Sequence, residues 1–350
     1  MSKLWILLFL SATTWAENQG TGLQTSIAAD IVGQFGQINN QSNNRLEARE
    51  AEVLFFAPID QLFDGTLSMA AHQERGNTFF ELHEMYIGSS KLIPRSRFRL
   101  GQFFLGFGRL NQFHRHDWPF TTAPKVQSSF FDREGVLDTG LEYSFLFPTP
   151  FYLDLTVGLT NGWAFGHAHS IGTKPKLPTH YARLVTYNSL FSGGGMQTGL
   201  NYLGRNAADG SATKFLGLDL TAKWRENQTL VFLLQSEAWY RILSPATGGD
   251  AETTLGYYVY SQYGFSQQWY AGLRIDGYTV TSLQDAGGGK IGNLSYGLVP
   301  TVTFKASEFS TIRASYSFLG DLRDSKEQSP ERIFELQAVF LLGTHPSHDF

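Results

Sequence analysis

The chain has no cysteine, and only 17% of its 350 residues are charged. Without cysteine it gains no stability from disulfides. Basic clusters are also missing and the formal net charge is −4, so the charge pattern gives no support for binding nucleic acid. The motifs GxSxG and HExxH are absent, and "GGGK" (287–290) lacks the spacing of a phosphate-binding loop. We therefore expect neither an enzyme nor a nucleic-acid partner.

Long apolar runs are scarce as well. Beyond the N-terminal residues, no segment approaches about 18 consecutive apolar residues, the length that a membrane-spanning helix needs. Aromatic residues nevertheless make up 15% of the chain, and glycine is abundant with 36 residues. If such a chain crosses a membrane, it must do so as a closed β-barrel, because alternation along a strand hides the apolar face from any average.

The N-terminus has the pattern of a secretory signal peptide. Lys3 gives a short positive region, "LWILLFL" (4–10) an apolar one, and Thr14 and Ala16 are small residues suited to a cleavage site. The apolar run is too short to span a bilayer. We expect residues 1–16 to be a signal peptide, and residues 17–350 to form a single domain.

The rest of the chain alternates with a period of two in about sixteen segments of about 10–14 residues. In "LQTSIAADIVGQF" (23–35), for example, Ile27, Ile31 and Phe35 share one face while Ser26 and Asp30 share the other. Strands of this length with one apolar face match a tilted bilayer crossing. The alternative is a soluble β-sandwich, which also alternates.

The links between these segments differ in length in a regular way. Every second link is short, such as "PIDQL", "SKLIPRS" and "FPTP", whereas the others include a stretch of about 30 residues (106–135), "GWAFGHAHSIGTKPKLP" and "GDLRDSKEQSPE". Outer-membrane barrels have tight periplasmic turns and longer outside loops. We therefore predict an all-β protein, a transmembrane antiparallel up-and-down β-barrel of about 16 strands in the bacterial outer membrane.

In such a barrel the polar faces line the lumen. Acidic and basic residues are mixed there, without the basic excess expected of a pore that selects anions. If "FPTP" forms the turn, two of the acids, Glu142 and Asp154, lie roughly opposite each other and could attract a cation. The candidate pore-lining residues are Glu50, Glu52, Arg97, Arg99, Glu142 and Asp154.

Two outside loops carry paired histidines. "GRLNQFHRHDWPF" (108–120) lies in the 106–135 loop, which we expect to fold inward as a constriction, and "HAH" lies in the next loop. In extended backbone the two histidines of each pair share one face, and imidazoles with an aspartate suit zinc or copper(II). The alternative is that these residues are solvated or shape the loop. The candidate metal ligands are His114, His116, Asp117, His167 and His169.

Several stretches resemble one family. They are "REAEV" (49–53), "FGRLNQFHRHDWPF" (107–120), "FFDREGVLDTGLEYSFLFPTPFYLDL" (130–155), "TNG" (160–162) and the ending "FLLGTHPSHDF". These are similar to bacterial outer-membrane proteins labelled zinc-regulated TonB-dependent receptors. The resemblance implies an outer-membrane barrel whose production responds to zinc supply. It also favours Asn111, His114, His116 and Pro119 as important to the loop.

The strand rhythm begins about seven residues after the predicted cleavage site. Because TonB-dependent transporters have 22-stranded barrels with a plugged lumen, sixteen strands without a plug predict a passive, porin-like channel instead. Small solutes, cations or metal ions among them, would diffuse through it. Two alternatives are an uptake barrel that binds zinc through the HxH loops and a non-conducting surface or adhesion barrel. Expected partners are outer-membrane lipid and the assembly machinery acting on the C-terminal strand. The barrel is expected to be either a monomer or a homotrimer of identical chains.

Overall fold

The structure is a computed structural model that describes residues 22–74, 77–162, 178–190, 193–227, 229–284, 291–323 and 326–343. The predicted signal peptide and the "HAH" pair lie outside these residues. Within the described ranges, no helix has the length and apolar character needed to cross a membrane.

Nearly all of the described chain is β-structure. Sixteen long strands follow one another, and a two-residue strand, β2, lies between the first two of them. The strands are β1 (Gln24–Ile38), β2 (Gln41–Ser42), β3 (Arg45–Pro58), β4 (Asp64–Glu74), β5 (Asn77–Ser89), β6 (Ser96–Phe104), β7 (Leu137–Leu146), β8 (Tyr152–Thr160), β9 (Thr179–Leu190), β10 (Gly194–Asn206), β11 (Ala212–Glu226), β12 (Thr229–Ser244), β13 (Glu252–Gly264), β14 (Trp269–Val280), β15 (Asn293–Ser307), β16 (Ser310–Arg323) and β17 (Lys326–Gly343).

The long strands form one closed antiparallel barrel. Each pairs with the next along the chain, and β1 closes the ring by pairing with both β3 and β17. In the closing register Asp30 lies opposite Val339. The predicted antiparallel up-and-down barrel of about 16 strands is confirmed. Closure leaves no strand edge unpaired, which is the condition for sheet structure in lipid.

The two faces of the wall have the predicted polarity. In β1, Ser26 and Asp30 point inward and are buried, whereas Ile31 and Phe35 point outward with 40% and 51% of their surface exposed. The same pattern recurs around the ring, where outward leucine, valine and phenylalanine side chains are exposed. An apolar outer band on a closed barrel is stable where lipid covers it.

The two ends of the barrel differ. At one end, here the turn end, the links have two to six residues, for example 59–63 and 90–95. The opposite end, here the loop end, has the longest links, 105–136, 161–178 and 281–292. One predicted loop is wrong: "GDLRDSKEQSPE" (320–331) is mostly strand, because β16 runs to Arg323 and β17 begins at Lys326. Arg332 Nη2 donates to Glu327 Oε1 at 2.7 Å and stabilises this extended hairpin.

The link between β6 and β7, residues 105–136, folds into the lumen and is called the lumen segment below. It contains two 3-10 turns, Leu110–Gln112 and Arg115–Asp117, and one short helix, α1 (Lys125–Phe130). Its aromatic side chains are buried against the inner wall: Phe107 packs on Trp239 with ring centroids 5.7 Å apart, and Phe120 packs on Tyr260 at 5.3 Å. An apolar core thereby fills part of the lumen.

The polarity of the wall predicts that a charge placed on the lipid face is costly. Leu218, in the middle of β11, points outward with 58% of its surface exposed. Leu218→Arg should lower the free energy of unfolding in lipid vesicles by about 2–4 kcal/mol, because the guanidinium must leave water for hydrocarbon. Denaturant titration of the refolded barrel measures this.

The matched control is Leu92→Arg, at an exposed leucine in the 90–95 turn. Near the membrane surface an arginine costs about 0–1 kcal/mol, so this variant should unfold almost as the wild type does. Equal losses in the two variants would contradict the assignment of a lipid face.

Candidate functional site

Side chains of the barrel wall hold the lumen segment in place through its backbone. A buried backbone N–H needs an acceptor, and the segment has too little regular structure to supply its own. Wall carboxylates provide acceptors at three points: Gly106 N donates to Glu142 Oε2 (2.9 Å), Leu110 N to Glu237 Oε1 (2.7 Å) and Lys125 N to Asp276 Oδ1 (2.7 Å). These lumenal acids therefore hold the segment in place.

Two wall arginines bind the same segment as hydrogen-bond donors. Arg49 Nη1 donates to the Thr121 carbonyl oxygen at 2.8 Å, while its Nε donates to Asp30 Oδ2 at 3.0 Å. Arg274 Nη2 donates to Thr122 Oγ1 at 2.9 Å. Both guanidiniums are buried. The segment is thus fixed by wall donors and wall acceptors together, and it acts as part of the barrel interior.

On the side where the apolar core ends, the segment meets β3, β4 and β5 in a group of imidazoles and carboxylates. We call this group the His–Glu cluster. It consists of His72, His83, His114, Glu50, Glu52, Glu84 and Glu134. Two sets within it bring ligand atoms within 4.8 Å of one another: Glu50, Glu52, His83 and His114, and then His72, His83 and Glu134. His83 belongs to both sets.

The distances within the cluster are short. His114 Nδ1 lies 3.0 Å from Glu52 Oε2, and His83 Nδ1 lies 3.7 Å from Glu52 Oε1. The other nitrogen of His83, Nε2, is 2.8 Å from His72 Nε2. On its far side His114 Nε2 approaches Glu84 Oε2 at 3.3 Å. One carboxylate, Glu52, therefore lies between two imidazoles whose outer nitrogens meet further cluster members.

His116 lies beside this arrangement. Its Nδ1 is 3.3 Å from Glu50 Oε1 and 3.6 Å from Glu52 Oε2, and its Nε2 is 3.6 Å from Asp117 Oδ2. The rings of His114 and His116 are stacked with centroids 5.6 Å apart. Both imidazoles of the HxH pair thus approach carboxylates of β3.

The carboxylates around the two loop imidazoles favour the protonated form of each ring. Burial disfavours the charged form of His114, but Glu52 and Glu84 outweigh burial and raise its pKa well above its usual value. Burial opposes charge on His116 too, yet Asp117 and Glu50 raise its pKa to about 9. The same carboxylates can stabilise either a proton or a metal ion on these imidazoles.

The cluster separates two polar cavities inside the barrel. The cavity toward the loop end has a volume of about 610 Å³, and among its lining residues are His72, Glu81 and Glu134. The cavity toward the turn end has a volume of about 360 Å³, and His114 and Glu84 are among its lining residues. The cluster is therefore reached from both ends of the barrel.

The predicted pore-lining residues occupy different places. Glu50 and Glu52 belong to the cluster, and Arg97, Arg99 and Glu142 line the cavity toward the turn end. Arg97 is exposed there. Arg99 Nη2 is paired with Glu142 Oε1 at 2.7 Å.

Asp154 faces inward, but the predicted pairing of Glu142 with Asp154 is wrong. Glu142 lies opposite Gly158, and Asp154 lies opposite Leu146, because the turn between β7 and β8 comprises five residues, 147–151. The two carboxylates are therefore separated along the strands and do not form a cation site.

Of the candidate metal ligands, the structure brings His114 and His116 to the carboxylates of β3. Asp117 lies next to His116, and His167 and His169 lie outside the described residues. Sequence reasoning missed the wall members of the cluster, His72, His83 and Glu84, and also Glu134 of the lumen segment. Part of the reason is a β-bulge between β4 and β5, which lets the consecutive residues His83 and Glu84 both point inward.

Comparison with known proteins identifies the fold. No family model matches the chain. An uncharacterized protein of Aquifex aeolicus (strain VF5) is 27% identical over 358 residues, covering 91% of this chain and 72% of that protein. The solved anion-selective porin from Comamonas acidovorans gives a TM-score of 0.62 at 11% identity, covering 91% of this chain and 99% of that one. The trimer form of OmpT, an outer membrane protein of Vibrio cholerae, gives 0.57 at 9% identity, covering 92% and 100%.

The chain therefore has the porin-like fold of outer-membrane β-barrels. Together with the apolar outer face, this fold places the protein in the outer membrane of bacteria, as the alternation predicted. The barrel implied by the family resemblance is confirmed. None of the three proteins just described is named a TonB-dependent receptor.

The anchoring of the lumen segment can be tested at Asp276. This buried carboxylate accepts hydrogen bonds from Lys125 N and, at 2.7 Å, from Arg274 Nε. Asp276→Asn leaves the Arg274 guanidinium buried without its counter-charge, which should lower the free energy of unfolding by about 3–5 kcal/mol. Amide hydrogen exchange in α1 should become faster, since α1 begins at Lys125.

Asp209→Asn is the control. Asp209 is an exposed carboxylate in the 207–211 link and contacts only that link's own backbone and Ser211 in the hydrogen bonds described for it. Its neutralisation should leave exchange in α1 unchanged. If Asp276→Asn also left exchange in α1 unchanged, the wall carboxylates would not be what holds the segment.

Proposed function

We propose that this protein is an outer-membrane channel through which small hydrophilic solutes diffuse passively. The observation that carries the proposal is the pair of polar cavities toward the two ends of the lumen, each lined in part by side chains of the His–Glu cluster. The path runs along β3 to β7, and the lumen segment narrows it. The porin-like fold supports the same conclusion.

One observation favours a second candidate, a non-conducting surface barrel. The apolar core between the lumen segment and the wall from β9 to β13 fills its part of the lumen with aromatic side chains, including Phe107, Phe131 and Trp239. If the polar path beside the core were also closed, the barrel would conduct nothing. Current through a planar bilayer separates the two candidates directly.

The partners follow from the same fold. Lipid covers the outer face, and β17, which closes the barrel against β1, is the strand that the outer-membrane assembly machinery would engage. The OmpT structure named above was solved in a trimer form, and this supports a homotrimer for the present chain. Mass spectrometry of the protein in mild detergent tests the proposal: a chain that stays monomeric would overturn the trimer and leave the channel proposal intact.

The channel proposal predicts a measurable ion preference set by Arg97, which is exposed toward the turn-end cavity. In planar bilayers with a salt gradient, the wild type should conduct. Arg97→Glu should shift the reversal potential toward cation preference, because a wall charge then attracts cations into the path. The shift should shrink in concentrated salt, which screens the charge.

Lys214→Glu makes the same charge change on the outside of the barrel, where Lys214 is exposed on β11. This variant should conduct with the wild-type reversal potential. Absence of current from folded wild-type protein would end the channel proposal and favour the second candidate.

A further inference from the structure

The strongest unexplained feature of the molecule is the concentration of buried imidazoles and carboxylates at one level of the lumen. Isolated buried charges are costly, so a cluster of this kind needs compensation by pairing, protons or metal ions. Three imidazoles are surrounded by acids from β3, β5 and the lumen segment: Glu50, Glu52, Glu81, Glu84 and Glu134. Two arginines reach the edge of this group, Arg99 toward Glu84 at 3.9 Å and Arg115 toward Glu134 at 3.6 Å.

We propose that the His–Glu cluster is a binding site for a zinc-like divalent cation, with Glu52, His83 and His114 as ligands and Glu50 as the fourth. Their ligand atoms lie within 4.8 Å of one another. Around a tetrahedral zinc, ligand atoms about 2.0 Å from the metal are about 3.3 Å apart. His114 Nδ1 lies 3.0 Å from Glu52 Oε2 and His83 Nδ1 lies 3.7 Å from Glu52 Oε1, so each imidazole is already near this spacing from one of the two oxygens of the carboxylate. Small side-chain movements therefore suffice to close the site on an ion.

The surroundings of His114 support this assignment independently. If its Nδ1 binds the metal, its Nε2 carries the hydrogen and donates a hydrogen bond to Glu84 Oε2, 3.3 Å away. A carboxylate that accepts the second ring N–H of a ligating histidine is the usual outer partner at metal sites, since it fixes the ring and makes the metal-binding nitrogen more basic. Glu84 in turn lies near Arg99, and His116 lies against Glu50 in the same outer layer.

The ligand types select the class of cation. Two imidazoles with carboxylates suit zinc and its transition-metal neighbours, whereas calcium and magnesium prefer oxygen ligands alone. His83 also faces His72, and this second set, completed by Glu134, borders the cavity toward the loop end. An ion could therefore pass from His72 and Glu134 to the inner ligands through the shared His83. This passage rests on the proposed channel, but binding at the cluster does not.

Zinc titration of the detergent-purified full chain tests the site. The purification uses an affinity tag that contains no histidine, so the tag itself does not bind zinc. Isothermal titration calorimetry then measures the affinity and stoichiometry of zinc binding. We expect one zinc ion bound per chain in the presence of millimolar Mg²⁺, with an X-ray absorption spectrum of nitrogen and oxygen ligands at about 2.0–2.2 Å. Failure of folded wild-type protein to bind zinc, or displacement of zinc by magnesium, would overturn the proposal.

Two variants locate the site. His114→Ala and Glu52→Gln should each weaken zinc binding at least about 100-fold, since even the loss of an outer-shell partner costs about 10–100-fold. Glu52→Gln nearly preserves side-chain volume, so it keeps the test valid if His114→Ala fails to fold. Circular dichroism checks folding of both. Unchanged affinity in folded Glu52→Gln would overturn the assignment.

Two control variants address other histidines. His167→Ala/His169→Ala removes the neighbouring HxH pair. His180→Ala removes a histidine on β9 whose Nε2 lies 3.2 Å from the Tyr202 hydroxyl on the adjacent strand β10. Both should bind zinc as the wild type does. Loss of binding in the His167/His169 variant alone would move the site to that loop and refute the cluster.

Current recordings keep this proposal separate from the channel proposal. Zinc binding without any current would leave the cluster as a site in a closed barrel and refute the channel alone. Current without zinc binding would refute the site alone. When both hold, zinc added at the loop-end side should reduce the monovalent current of the wild type and not that of Glu52→Gln.

Discussion

The structure depends on hydrogen bonds between the barrel wall and the backbone of the segment buried inside it. The lumen segment has 32 residues, and the only regular structure in it is two 3-10 turns and one short helix. Its N–H and carbonyl groups would be costly to bury unpaired. The wall supplies carboxylates such as Glu237 and Asp276 and the guanidiniums of Arg49 and Arg274 as partners. The polar inner wall is thus needed to fold the lumen segment as well as to line the water-filled part of the lumen.

Because of this constraint, an inward-facing charged residue on a strand can serve either of two roles, to face water or to pair with the buried backbone. Period-two alternation correctly assigns residues such as Asp30 and Ser26 to the lumen. It cannot tell an acid that faces water from one that accepts a backbone N–H, because both alternate in the same way. Glu142 is of the second kind: it accepts from Gly106 N and, at 2.6 Å, from the Tyr181 hydroxyl, and it pairs with Arg99. The balance of charge in the lumen is therefore a weak guide to selectivity.

The sequence predicted the barrel well and its site only in part, and both results have physical reasons. Strand existence depends on local alternation, which the sequence contains in full. The cluster joins β3, β4, β5 and the lumen segment, and such contacts depend on register and on two bulges. At the bulge between β1 and β3, Asp30 pairs with Glu50 and Ile31 pairs with Ala48, so Arg49 and Glu50 both face inward. At the bulge between β4 and β5, His83 and Glu84 both face inward. Strict period-two alternation would instead place one residue of each consecutive pair, Arg49 and Glu50 or His83 and Glu84, on the lipid face.

The division of the lumen explains how a filled barrel can still hold a polar path. The aromatic core lies against β9 to β13, and it stiffens the segment by packing rather than by charge. Beyond this core the same segment presents His114 and His116 to the acids of β3 and β5. On another side it borders a cavity of about 210 Å³ that basic residues line, Lys223 and Lys305 among them. The contacts described for the acids of the His–Glu cluster are with imidazoles and, at its edge, with Arg99 and Arg115, whereas these lysines line the separate cavity. The acids that a cation would meet at the cluster are therefore paired with imidazoles and arginines rather than with lysines.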